Sequence, residues 1–83
     1  MDERDKLLQR ARQSVHGWRL DDLDALYLSF GFEYKEGGSH RIYFHPAHPD
    51  LVAPVPRHRD VKAVYVRLAI RLIAKLREIE NRK

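Results

Sequence analysis

The chain of 83 residues contains no cysteine. That excludes a disulfide staple, a thiolate zinc site and a thiol nucleophile, and it suits a reducing cytoplasm. No apolar run approaches the roughly 20 residues that a membrane span needs. Met1-Asp2-Glu3-Arg4 is charged where a signal peptide would turn apolar, so no export signal is expected and the protein reads as soluble and cytoplasmic. Glycine and proline number only four each. The length fits one small domain, near the lower end of what buries a core unaided.

The net charge of +4 is spread unevenly. Residues 1–34 hold five Lys/Arg against seven Asp/Glu, residues 35–56 two against two, and residues 57–83 nine against three. Positive charge gathered in one third is the footprint of a polyanion binder, although a solvated basic helix face gives the same count.

Residues 3–15 have one narrow apolar stripe, Leu7, Leu8, Ala11 and Val15, and predict a surface helix that Gly17 ends. Trp18 is expected as a core anchor. Leu20, Leu23, Tyr27 and Phe30 share one face of a second helix. Asp21, Asp22 and Asp24 at its start complement the helix dipole, and Gly31 stops it. Residues 32–36 alternate as a first strand, Gly37-Gly38 turns the chain, and 39–45 form a second strand. Pro46 and Pro49 break it, and 51–55 form a third strand, at a sheet edge because Pro54 lacks an N–H. Asp60 is expected to cap a last helix running to about Glu80. Its main apolar face is Val61, Tyr65, Leu68, Leu72, Leu76 and Ile79. Val66, Ile70 and Ile73 widen that face beyond what one sheet covers, and they call for the N-terminal helix, a second copy or another protein. The class is α+β: an extra helix, then α-β-β-β-α, with one antiparallel sheet carrying helices on one face.

In that order, Phe30-Gly31-Phe32, Gly37-Gly38-Ser39-His40, Tyr43-Phe44-His45-Pro46 and Val55-Pro56-Arg57-His58 resemble HicA-type toxins over about residues 18–80. These are small mRNA interferases of toxin–antitoxin pairs with a double-stranded-RNA-binding-domain-like fold. The resemblance implies a single domain, 1–83, with residues 1–17 as a helical extension and 18–80 as the core. It implies mRNA as substrate, a HicB-type antitoxin as partner, no cofactor, and His40 as the residue required for cleavage. Many members carry a second histidine where this chain has Arg41, and their final helix commonly opens with a Lys-Gly-Thr-like stretch replaced here by residues 61–65. Homodimer and toxin–antitoxin hetero-oligomer both stay open.

RNA carries its own nucleophile, the 2′-hydroxyl, so cleavage needs a proton acceptor, a donor and charge stabilisation. A histidine serves as acceptor near neutral pH. Lys35, Arg41, Arg57 and Arg59 are candidates to neutralise the phosphate, and Gly37, Gly38 and Ser39 would let backbone N–H groups approach it. His58 is either a second acid/base or a phosphate contact. His45 and His48 lack further ligands for tetrahedral zinc, so no metal site is expected and His45 reads as a turn residue. Ser39 has no base–orienter pair that would make it a nucleophile. Period two places Phe32 and Tyr34 in the core, and Ile42 and Phe44 on one face with His40, opposite Arg41, Tyr43 and His45. Strict alternation then aims His40 at the helices, unless the strand's first residue twists clear. The competing functions are a non-catalytic RNA-binding module with the same fold and a structural partner docking through Val66, Ile70 and Ile73.

Overall fold

The computed structural model describes residues 2–82. Helix α1 (Glu3–Gln13) opens on Asp2, whose carboxylate accepts the Asp5 N–H at 3.1 Å. Acidic residues in its first turn and basic ones in its last follow the helix dipole. Gly17, at φ +77°, turns the chain into Trp18, which is 1% exposed and donates its indole N–H to the Ser14 carbonyl at 2.9 Å. The expected core anchor is thus in place, with its polar end satisfied.

Trp18–Arg19 form a two-residue strand, β1, that sequence reading did not anticipate. It leads directly into α2 (Leu20–Ser29), where the Asp22 carboxylate accepts the Arg19 N–H at 2.9 Å. That backbone bond, with Arg10 nearby, holds the Asp22 carboxyl below its ordinary range against the opposing effect of burial. At the other end Gly31 adopts φ +85°. The Phe32 N–H then reaches the Tyr27 carbonyl and the Gly31 N–H the Leu28 carbonyl, both at 3.1 Å, a Schellman closure with the Tyr27 and Phe32 rings in contact.

Strands β2 (Glu33–Gly37), β3 (His40–His45) and β4 (His48–Pro56) form one antiparallel sheet in the order β2-β3-β4. β4 begins three residues earlier than expected. Pro46 and Ala47 alone make the turn, and Pro49 is tolerated because β4 is an edge. Strand β5 (Asp60–Val61) pairs with β1 before α3 (Ala63–Asn81) starts. Asp60 is therefore not the cap of the last helix: its backbone is held extended opposite Arg19, and Lys62 occupies the cap position without a side-chain bond.

Helices α1, α2 and α3 pack together, with α2 and α3 against one sheet face. Val66, Ala69, Ile73 and Leu76 of α3 are buried, together with Leu8 and Ala11 of α1. The additional α3 stripe is covered largely from within the chain. An ion pair between Arg77 and Asp5 ties the same two helices. The basic residues Arg67, Arg71 and Lys75 lie on the solvent side of α3. No helix of the described residues is long and apolar enough to cross a membrane.

The register decides what each sheet face carries. Tyr43 lies opposite Tyr34 and Ala53, and Arg41 opposite Glu36 and Val55. Tyr43, Ala53 and Val55 are buried, so this set faces the helices. Lys35–Ile42–Pro54, Gly37–His40–Pro56 and Glu33–Phe44–Val52 make up the other face, which no helix of the described residues covers. The expectation that Ile42 and Phe44 would carry His40 toward the helices is reversed. Tyr34 is not in the core either: it shares the helix-side face but sits on the edge strand, 40% exposed, with the Arg41 guanidinium 4.4 Å from its ring centroid.

Candidate active site on the open sheet face

The site is built on the β2–β3 hairpin. Gly37 and His40 close a two-residue turn, Gly38-Ser39, in which Gly38 has φ +63° and Ser39 does not leave negative φ. Glycine at the first central position with φ positive there alone fits a type II′ turn, whose twist matches that of paired strands. A side chain at Gly38 would meet no atom within 4 Å, so the requirement is purely conformational. Gly38→Ala is expected to lower stability by about 1–3 kcal/mol, the cost of holding an L-residue at positive φ in a sparsely populated backbone region. A urea unfolding midpoint checks this. At Gly37 a Cβ would lie 2.9 Å from Ile42 Cδ1, the end of a flexible side chain that can rotate aside.

His40 stands exposed at the end of this turn, on the uncovered face. Its Nδ1 is 3.2 Å from the Ser39 hydroxyl. When Nδ1 carries the proton and donates it to Ser39 Oγ, Nε2 presents a lone pair outward, the state that a general base needs. In that tautomer Ser39 orients the imidazole.

Arg57 is folded back on the same turn. Its backbone N–H donates to the Ser39 carbonyl at 3.0 Å, its Nη1 to the Gly38 carbonyl at 3.1 Å, and its Nε lies 3.1 Å from Glu36. About half of the side chain remains exposed, leaving guanidinium edges to meet an anion. Lys35 projects on the His40 face, two register steps along the hairpin, with its ammonium 5.9 Å from the Phe44 ring centroid. His58 and Arg59 are exposed in the loop beyond β4.

Arg41 is placed differently from the other candidate cations. It points to the helix side and donates to Asp24 at 2.6 Å and to Glu36 at 2.7–2.9 Å, with its side chain 17% exposed. The Tyr43 hydroxyl donates to the same Asp24 carboxylate, and its ring stacks on Tyr27 at 4.2 Å between centroids. Burial, and then the Asp24 carboxylate, push the Tyr43 phenol far above its ordinary range, so it stays protonated and donating. A continuous chain, Tyr43–Asp24–Arg41–Glu36–Arg57, therefore joins α2 to the turn that bears His40.

Asp24 and Glu36 are the residues that sequence reading missed. Asp24 is the fifth residue of α2, beyond the first turn where Asp21 and Asp22 meet the dipole, and its partners come from β3. Glu36 was legible in principle. A turn of Gly38-Ser39 sets Glu36 opposite Arg41, an oppositely charged cross-strand pair.

His45 serves the turn after β3, its Nδ1 accepting the Ala47 N–H at 3.1 Å and its ring meeting Phe32 edge-on. Burial, then the neighbouring His48, lower its pKa. No group of three or more His, Cys, Asp or Glu placed to hold a metal ion occurs among the described residues.

The family model for the HicA toxin of bacterial toxin–antitoxin systems matches residues 16–74, from just after α1 into α3. No curated protein and no solved structure matches the chain. The match spans the hairpin, the sheet and the loop that supplies Arg57, and on it the chain belongs to the HicA toxin family of toxin–antitoxin systems.

Proposed function

We propose that this toxin is an endoribonuclease that cleaves mRNA in the cytoplasm, with His40 as general base, and that a HicB-type antitoxin neutralises it by covering the open sheet face. The observation that carries this reading is the exposure of His40 on that face, with the Ser39 hydroxyl 3.2 Å from its Nδ1 and Arg57 donating to the Gly38 carbonyl of the same turn.

In the reaction His40 Nε2 takes the proton from the ribose 2′-hydroxyl. The O2′–P bond forms, the P–O5′ bond breaks, and the departing 5′-oxygen takes a proton from water. The products are a 2′,3′-cyclic phosphate and a 5′-hydroxyl. Arg57 and Lys35 supply positive charge where the phosphorane oxygens become more negative, the place where preorganised donors lower a barrier most. Arg59 and His58 extend the cationic and polar surface along the strand, and the Gly38 turn allows close backbone approach. Arg41 acts at one remove, by fixing the hairpin rather than by touching phosphate.

No step calls on a metal. Purified protein is expected to cut single-stranded RNA at an undiminished rate in excess EDTA and to leave cyclic-phosphate ends. Activity that vanishes in EDTA and returns with magnesium would overturn the mechanism.

A further inference from the structure

A ribonuclease must hold the nucleotides beside the bond it cuts, and one recess adjoins the end of the strand paired with β3. A cavity of about 200 Å³ opens between the end of β4 and the start of α3. Two of its walls, Val55 and Pro56, belong to opposite faces of the sheet, so the cavity lies at the end of β4, where the Pro56 backbone is one strand spacing, about 4.8 Å, from the backbone that carries the imidazole. Val55, Pro56 and Val61 give it apolar lining, and His58, Asp60, Lys62 and Tyr65 complete it.

Its size is below the roughly 300–1,000 Å³ of pockets for drug-sized ligands, which suits one planar ring system rather than a larger cofactor. Single-stranded RNA is recognised in this way: a base is splayed out, stacked on an aromatic side chain and read on its Watson–Crick edge. Asp60 is acceptor-only when ionised and offers two oxygens. Among the four bases guanine presents two adjacent donors on that edge, N1–H and the N2 amino group. Uracil presents a single N–H between two carbonyls, which a carboxylate repels.

We propose that this cavity is a base-binding subsite for the nucleotide beside the scissile phosphate, and that Asp60 makes it select guanine. The proposal rests on the ribonuclease reading for the word scissile alone; the base site itself is testable without cleavage. Lys62 and Arg59, on either side of Asp60 in sequence, then hold the flanking phosphates.

The test uses full-length His40→Ala protein, which binds RNA without consuming it, titrated with the trinucleotides UGU, UAU, UCU and UUU while backbone amide resonances are followed. UGU is expected to bind at least about fivefold more tightly than UUU, the low end of what a bidentate base contact discriminates. Its shifts should concentrate on residues 56–65. Asp60→Asn should abolish the preference for guanine with overall binding retained, and His58→Ala should weaken all four ligands alike. Equal affinities for the four trinucleotides, or shifts that bypass residues 56–65, would overturn the subsite. Guanine-selective shifts in the cavity of a protein whose wild type cuts no RNA would keep the subsite and remove the nuclease.

Discussion

His40→Ala is expected to reduce RNA cleavage by about 10²- to 10⁴-fold, the usual contribution of a positioned general base. Folding should be almost untouched. His40 is exposed, and its hydrogen bond to Ser39 is at the surface, so the change in stability should stay within about 0.5 kcal/mol. The two quantities separate a chemical role from a structural one. Cleavage of a fluorescent RNA is measured alongside a urea unfolding curve for wild type, His40→Ala and His40→Gln. Glutamine keeps hydrogen-bonding capacity but cannot take a proton at neutral pH, so it should be as inactive as alanine. Wild-type expression should arrest growth, and neither variant should. A His40→Gln protein that still cuts RNA at the wild-type rate would place the base elsewhere.

Asp24→Ala is expected to be the most damaging substitution for the fold. It leaves the Tyr43 hydroxyl in the interior without an acceptor, and it removes one of the two carboxylates that neutralise Arg41. Breaking a buried pair from one side costs about 3–5 kcal/mol. The Asp24 and Arg41 side chains are 16% and 17% exposed, so residual screening sets the expectation near the lower end, about 3 kcal/mol. Small domains hold only about 5–15 kcal/mol in total, which makes that loss a large share. Asp24→Asn retains an acceptor for Tyr43 and should fall between. In an Arg41→Met background the effect of Asp24→Ala should shrink, because the cation left unpaired is gone; urea denaturation of the four proteins closes the cycle. Additive losses would mean that the two side chains do not act as a unit.

Elements whose signals are local were readable from the chain alone. Gly31 stops α2 because left-handed backbone is needed there, and Trp18 goes inside with its N–H bonded; the glycine pair marks the hairpin, but the turn is Gly38-Ser39, one residue later than expected, with Gly37 the last residue of β2. The resemblance through the Gly-Ser-His turn led to the family that the comparison returned. The sheet faces were not readable. Ile42 and Phe44 are more apolar than Arg41 and Tyr43, and a pattern argument puts the apolar pair inside. The fold does the opposite because Asp24, 17 and 19 residues away in sequence, satisfies the guanidinium and the phenol, and Tyr27 supplies a ring for Tyr43 to stack on. A long-range acceptor cannot be seen in an alternation pattern. The same inversion moves His40 to the exposed side without any local twist. Asp60 was misplaced for a related reason. A two-residue ladder with Trp18–Arg19 competes with helix capping, and that pairing is also distant in sequence.

The prolines of β4 restrict how another polypeptide can join this molecule. Gly37 and His40 close the hairpin, so the His40 backbone groups point toward β2; Pro56 and Pro54, opposite His40 and Ile42, must then turn their nitrogens away from β3. Those are the positions where an incoming strand would look for donors, and two in succession have none. Strand addition is thus discouraged along that border, as native edges commonly arrange. The opposite border, Glu33–Gly37, keeps its amides and ends at the turn holding the imidazole. A binder that docked by lengthening the sheet would find its donors beside Glu33–Gly37 rather than beside Pro54 and Pro56, and would reach the turn that holds the imidazole as it did so.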